Sequence, residues 1–216
     1  MITRQRIIVT TQEGKFTAKD VRQTGDEKRD IFPASVKDAV LANLDNLPGK
    51  LWEILKVCSC VGFSFSYHLL SDTIGNSSDL RHSLKELSVT HKVFDERDTD
   101  DFAWRQHAML EAVHGLLLDT QKNVIHERIA SALELQYGTE NPDKARKNAP
   151  LKLIAHHWEA AGNKLKAVQY MTNAAHRAQK TFRLLEAIYL YERAIAIAKE
   201  LQTGADGNSV EKAESR

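Results

Sequence analysis

Apolar residues recur at helical spacing through the first half of the chain, between residues 33 and 88. This periodicity predicts four amphipathic helices. They cover residues 36–47, 51–61, 67–74 and 79–88. The second is apolar around much of its circumference, which is typical of a helix in the middle of a core, and Gly62 is suited to end it. Ser77 and Ser78 are candidate N-caps for the fourth helix.

Short alternating stretches predict two β-hairpins. Their strands are 7–10 with 16–18, and Phe94 with 102–104. A charged turn, 95–101, separates the second pair, whereas Glu13 and Gly14 connect the first. Because a two-stranded ribbon is only marginally stable by itself, either the rest of the chain or a missing domain must cover the first hairpin, and we expect a missing domain. The charged stretch 23–30 is predicted to be a linker.

From about residue 120 to 202 the chain is predicted to be helical, with breaks at 137–150 and 162–163, and its small residues follow a repeat. They occupy the small and aromatic positions of a tetratricopeptide (TPR) repeat, about 34 residues long, over 168–201. These positions hold Met171, Ala174, Ala175, Ala178, Ala187, Tyr191 and Ala194. A looser pair of helices, 122–135 with 151–161, is the candidate preceding repeat. Since about three repeats are needed for an independent array, we expect the array to continue elsewhere.

These elements predict a mainly α fold, in which a winged-helix module is followed by TPR-like antiparallel helical hairpins. The expected organisation is a β-hairpin remnant and linker over 1–30, a winged-helix-like module over 31–118, a TPR-like helical array over 119–202 and a disordered tail over 203–216. Within the winged helix, 79–88 takes the place of the recognition helix and 95–101 that of the wing.

The charge distribution argues against DNA binding by this module. The chain has 30 basic and 29 acidic residues, and its net charge of +1 provides no field to collect a polyanion. Binding to duplex DNA depends on Lys and Arg at the phosphates. The wing has five carboxylates against Arg97, and the helix before it mixes Arg81 and Lys85 with acidic residues. No nucleic-acid partner is therefore expected.

No membrane span is expected either. Every uninterrupted apolar run in the sequence is far shorter than the roughly 20 residues that a bilayer requires. The N-terminus lacks the apolar centre of a secretory signal. These features predict a cytoplasmic protein.

The motifs that carry catalytic chemistry are missing from the sequence. It contains neither the G-x-x-x-x-G-K-[ST] phosphate loop nor the G-x-S-x-G nucleophile motif. Cys58 and Cys60 are one residue apart in an apolar run and miss the C-x-x-C spacing, which predicts reduced core thiols. We therefore expect this chain to have no enzymatic activity and no cofactor of its own.

The histidines show no metal-binding spacing. His126 begins like a zincin helix, but Ala130 stands where the second histidine is required. His156 and His157 are adjacent, which points their side chains about 100° apart on a helix, so we expect packing near a helix interface. His114 has no second ligand at motif spacing. No metal site is predicted.

Three motifs in order resemble a known family. The motifs are PASVKDAVLANLDNLPGKLWEILKVCSCVGFSFSYHLLSDTI, FAWRQHAMLEAVHGLL and HHWEAAGNKLKAVQYMTNAAHRAQ, which together span about 31–201. They resemble the segment that follows the nucleotide-binding domain in STAND-class ATPases, and are similar to the region C-terminal to the ATPase domain in soluble, type 10-like adenylyl cyclases and related cyclase-linked regulators.

The resemblance implies a nucleotide-sensing role for two residues. His107 matches a histidine that contacts nucleotide from across the domain junction in related proteins, and Arg105 is the arginine that precedes it. Gln106 intervenes here, whereas the family more often places histidine directly after arginine. ATP or ADP would then bind at the junction with an ATPase domain that this chain lacks.

Three functions follow as hypotheses. The first is a non-catalytic regulatory or scaffold segment of a STAND ATPase or adenylyl cyclase-like protein, which couples nucleotide state to a helical protein-interaction array. The second is a free-standing TPR-type adaptor that binds a peptide or partner protein, with Tyr170, Tyr189 and Tyr191 as candidate partner-binding residues. A winged-helix DNA-binding regulator is the third.

Overall fold

The computed structural model describes residues 7–10, 16–19, 44, 47–75, 78–137 and 149–214, with side chains described between 44 and 203 of that set. The chain divides into two units, Met1–Pro33 and Ala34–Arg216. In the first unit, strands β1 (Ile7–Thr10) and β2 (Phe16–Lys19) pair antiparallel, with Ile7 opposite Lys19. The predicted N-terminal hairpin is confirmed.

The described part of the second unit is mainly helical, with one small antiparallel sheet. Its elements are α1 (Gly49–Val61), β3 (Ser64–Ser66), α2 (Tyr67–Ile74), α3 (Leu80–Val89), β4 (Phe94–Glu96), β5 (Asp101–Trp104), α4 (His107–Gly115), α5 (Asp119–Tyr137), α6 (Leu151–Ala160), α7 (Lys164–Lys180) and α8 (Leu184–Glu214). Three of the four helices predicted in the first half are confirmed. The first, 36–47, falls mostly outside the described residues, although Leu44 and Leu47 are buried.

The sheet has the order β3–β5–β4, with β5 antiparallel to both neighbours. Phe65 of β3 lies opposite Phe102, and Phe94 of β4 lies opposite Trp104. The hairpin of β4 and β5 was predicted, whereas β3 was not. A three-residue stretch is too short to show alternation, and β3 forms because β5 offers it an edge to pair with.

The first core lies under this sheet. It contains Leu55, Leu70, Leu84, Leu87, Phe94 and Trp104, each no more than 1% exposed. The rings of Phe94 and Trp104 pack edge to face with centroids 4.9 Å apart, an arrangement that aromatic quadrupoles favour. This core holds α1, α2, α3 and the sheet together.

The second core lies among α5, α6, α7 and α8. Its most deeply buried side chains include Ile129, Ile154, Trp158, Tyr170 and Ala175. The small residues of the predicted repeat are buried between α7 and α8, with Ala178 1% and Ala187 4% exposed. Small side chains allow two helix backbones to approach closely, so the spacing of alanines correctly indicated a helix–helix contact.

The two cores share α1 and α2. On α1, Cys58 packs in the first core and Cys60 in the second; on α2, Leu70 belongs to the first and Leu69 to the second. Successive residues of a helix point about 100° apart, so one helix can present a different face to each core. The junction between the two cores is therefore built by α1 and α2.

Two predictions about helix ends have different outcomes. Gly62, with φ of 130°, ends α1 as expected, because a positive φ is easily accessible only to glycine. The N-cap residue of α3 is Asp79, and its side chain makes no capping bond. The Ser78 hydroxyl lies 3.4 Å from an Asp79 carboxylate oxygen, so Ser78 is not the cap, and Ser77 lies outside the described residues.

Helix α8 runs to Glu214, so the backbone over 203–214 is helical where a disordered tail was expected. The small, polar composition of this segment led to that expectation. No helix in the described part of the chain is long and apolar enough to cross a membrane.

Candidate functional site

Arg105 and His107 lie at the start of α4 but contact different partners. Arg105, which follows β5, donates from Nε to Asp95 Oδ1 of β4 at 2.9 Å. His107 Nδ1 lies 3.2 Å from Glu111 Oε1, and the ring stacks on Phe63 with centroids 5.6 Å apart. The His107 side chain remains 63% exposed. It is therefore accessible to a partner from the outside, whereas Arg105 is already engaged within the chain.

The three candidate partner-binding tyrosines differ sharply in exposure. Tyr170 is 1% exposed and belongs to the second core, so it cannot contact a partner at the surface and that prediction is wrong. Tyr191 is half-buried, with its hydroxyl 3.5 Å from Gln179 Oε1. Tyr189 is 61% exposed and remains a candidate.

Tyr189 is part of an apolar surface at the beginning of α8, which we call the α8 face. Its members are Phe182 (88% exposed), Leu184 (56%), Leu185 (86%), Ile188 (53%) and Tyr189 (61%). Phe182 also has φ of 59°, a left-handed conformation that is a strained choice for a bulky residue. Contiguous exposed apolar residues commonly mark sites where another protein packs.

The surface expected to meet DNA has its arginine occupied. Arg81 of α3 donates to Asp100 Oδ1 at 2.7 Å and to the carbonyl of Thr99 at 3.1 Å, and its guanidinium lies 4.2 Å from the ring centroid of Tyr67. A carboxylate in the turn between β4 and β5 thus neutralises the arginine of α3.

A group of cysteine and histidine side chains meets at the junction of the two cores. Cys60 of α1, His114 of α4 and His126 of α5 each offer one sulfur or nitrogen atom, and these atoms all lie within 4.8 Å of one another. Cys60 is 5% and His126 7% exposed, whereas His114 is half-buried. We call these three side chains the junction cluster.

His157 of α6 extends the junction cluster. Its Nδ1 lies 2.8 Å from Nδ1 of His126, so one ring donates and the other accepts. His157 is 1% exposed, and its Nε2 makes no hydrogen bond to any residue the structure describes. A buried nitrogen without a partner is costly, and such atoms are rare in folded proteins.

Burial keeps these histidines neutral. Loss of solvation, with neighbouring positive charge second, lowers the pKa of His126 to about 4 and that of His157 to about 3. The pKa of His114 is lowered for the same reason. Burial raises the pKa of the Cys60 thiol to about 11, against the opposing hydrogen bond of Ser59.

Sequence reasoning treated each of these residues alone and expected core packing or solvation. No local spacing could have joined them, because they lie on four different helices. Scans against protein-family models, curated proteins and solved structures found no match to this chain. The resemblance to STAND-class ATPases thus rests on the sequence motifs.

Proposed function

We propose that this chain is a non-catalytic regulatory or scaffold segment of a STAND ATPase or adenylyl cyclase-like protein. In this proposal, the elements from α1 to β5 form a winged-helix module and those from α5 to α8 form TPR-like hairpins. Helix α1 is followed by strand β3, helices α2 and α3 and the hairpin of β4 and β5, and β3 pairs with β5. This order supports the winged-helix assignment. Paired helices with small residues at their contacts support the TPR-like part.

The observation that carries the coupling role is the sharing of α1 and α2 between the two cores. A packed core resists deformation, so a displacement of the winged-helix part is passed to α5 through helices that belong to both. A flexible linker between the modules would lose that displacement. The geometry therefore suits a rigid connection between a partner bound at one end and a surface at the other.

The α8 face is the surface that we assign to a protein partner. Five apolar residues are exposed there, and one of them, Phe182, adopts a strained conformation in the turn before α8. Strain in an exposed residue is retained at functional surfaces more readily than elsewhere. The occupant we propose is an amphipathic helix, because an apolar strip on a helix is complementary to another helix. Such a helix is also what a further hairpin of the array would supply.

A photo-crosslinking residue at Leu185 tests this assignment. When the chain is expressed in its native cells, we expect a discrete protein adduct at Leu185 and none at Leu118, which is also apolar and 67% exposed. The second substitution Ile188→Glu should abolish the adduct, since a charge in the contact is desolvated without a partner. Crosslinking followed by mass spectrometry provides the readout.

The identity of the adduct separates the two protein-binding hypotheses. A protein with a nucleotide-binding or cyclase domain supports the regulatory segment, whereas a partner without either supports the free-standing adaptor. Equal labelling at Leu185 and Leu118 would contradict the α8 face as a binding surface. ATP hydrolysis by the purified chain alone would contradict the non-catalytic assignment. The nucleotide-sensing role of Arg105 and His107 stays a prediction.

DNA binding is the third hypothesis, and we expect a mobility-shift experiment to contradict it. If the occupied Arg81 and the acidic wing exclude phosphates, the purified chain should leave the mobility of duplex DNA unchanged even at low salt, where electrostatic binding is strongest. Electrophoretic mobility shift is the measurement. A salt-sensitive shift that Lys85→Ala weakens would favour the DNA-binding regulator instead.

A further inference from the structure

The junction cluster has the donor set of a transition-metal site. It combines one thiol with two imidazoles from three separate helices, and all three donor atoms lie within 4.8 Å of one another. Zinc binds cysteine sulfur at about 2.3 Å and histidine nitrogen at about 2.0–2.1 Å, which in a tetrahedron places ligand atoms roughly 3.5 Å apart. Closing the cluster on an ion therefore requires side-chain shifts of at most about 1 Å.

We propose that Cys60, His114 and His126 bind a zinc ion or a similar borderline-soft divalent cation at the junction of the two cores. Three protein ligands leave the fourth tetrahedral position to water. Sulfur and imidazole nitrogen select such an ion over magnesium or calcium, which prefer oxygen ligands.

His157 supplies the support that histidine ligands commonly have. A ligating histidine usually bonds through its second ring nitrogen to a neighbour that fixes its tautomer and orientation. Nδ1 of His126 already lies 2.8 Å from Nδ1 of His157, which leaves Nε2 of His126 as its other ring nitrogen. With Nε2 as the ligand atom, Nδ1 of His126 carries the proton and donates a hydrogen bond to Nδ1 of His157. His157 is therefore a positioning residue in this proposal.

The charges around the cluster act in both directions. Histidine binds a metal ion in its neutral form. The Cys60 thiol must lose its proton when the cation binds, and that proton is released to solvent. Lys122 carries a positive charge near the cluster and would repel a bound cation. Its Nζ lies 3.6 Å from Asp119 Oδ1 at the start of α5.

A bound ion would join parts of the chain that are far apart in sequence. Cys60 brings α1, His114 brings α4 and His126 brings α5 to one centre, so the ion would clamp both cores where they meet. This inference does not depend on the proposed function, because an adaptor of any kind can carry a structural metal. Zinc binding and partner binding at the α8 face can each fail without the other.

Zinc and cobalt titrations of the full-length, chelator-treated and reduced protein test the proposal. We expect zinc to raise the melting temperature of the wild type, and cobalt to produce a thiolate-to-metal charge-transfer band. Two pairs of variants locate the site. Cys60→Ala is matched by Cys58→Ala, a buried thiol in the other core, and His114→Gln is matched by His107→Gln, an exposed histidine on the same helix.

We expect the two members of each pair to differ in zinc binding. Zinc should still raise the melting temperature of Cys58→Ala and His107→Gln, but its affinity should fall by at least tenfold in Cys60→Ala and His114→Gln. If Cys60→Ala does not fold, the half-buried His114→Gln still decides the outcome. Absence of both the shift and the charge-transfer band in the wild type would overturn the site, as would a band that survives Cys60→Ala.

Discussion

Replacement of Trp158 by alanine should lower the free energy of unfolding by about 3–5 kcal/mol, the usual range for a large aromatic residue removed from a core. Trp158 is 3% exposed in the second core. Its Nε1 donates to Glu134 Oε1 at 2.8 Å, and Lys166 Nζ lies 3.8 Å from the ring centroid and 3.1 Å from Glu134 Oε2. One side chain thus connects α5, α6 and α7. Urea denaturation followed by circular dichroism provides the measurement.

The matched control for this prediction is Trp158→Phe. It keeps most of the apolar volume but removes the N–H donor, so we expect a loss of about 1–2 kcal/mol, close to the cost of one hydrogen bond to a charged group. These contacts predict that stability increases from Trp158→Ala through Trp158→Phe to the wild type. A Trp158→Ala protein within about 1 kcal/mol of the wild type would show that the helices do not pack around this ring.

Acidification should destabilise the metal-free protein well before its carboxylates titrate. The pKa values of His126 and His157 in the folded state are about 4 and about 3, because burial excludes their charged forms and His156, His114 and Lys122 add repulsion. In the unfolded chain a histidine titrates near pH 6.5, so below that pH the unfolded state binds more protons than the folded state.

The free energy of unfolding should be flat between about pH 7 and pH 8, below the range in which unfolded thiols ionise. It should fall as the pH drops from 6.5 toward 4, by about 2 kcal/mol for each of the two histidines at pH 5. Urea denaturation in the presence of a chelator between pH 7 and pH 5 measures this slope. In that interval few carboxylates take up protons, so the histidines dominate.

One substitution tests the part that these histidines play. His157→Leu should remove about half of their contribution to the slope between pH 6.5 and 5, because leucine binds no proton in either state. A stability that is independent of pH in this interval would mean that His126 and His157 are not buried as neutral rings.

Much of the helical framework could be predicted because its signal is local. The helices 51–61 and 67–74 match α1 and α2 closely, and the alanine spacing around residue 174 indicated the contact of α7 with α8. Each of these depends on a period that a single segment displays. The strand β3 and the helical backbone of 203–214 were missed, the first because three residues carry no period and the second because composition alone suggested disorder.

The candidate sites were much less predictable. Tyr170 had the same sequence signal as Tyr189, an aromatic residue in a helical repeat, yet one is 1% and the other 61% exposed. Which face of a helix is covered depends on the helices beside it, and a single segment does not contain that information. For the same reason, Cys60 looked like an isolated core thiol and His126 like part of an incomplete zincin motif until their helices were placed together.

By itself, the sequence determined where most helices begin and end, the charge balance that disfavours DNA, and the missing phosphate loop, because each is a property of consecutive residues. Only the tertiary structure decided that α1 and α2 serve two cores, that the α8 face is exposed, and that a thiol and three imidazoles meet at the junction. Contacts between side chains from different helices depend on how those helices pack, and packing is set by the whole chain.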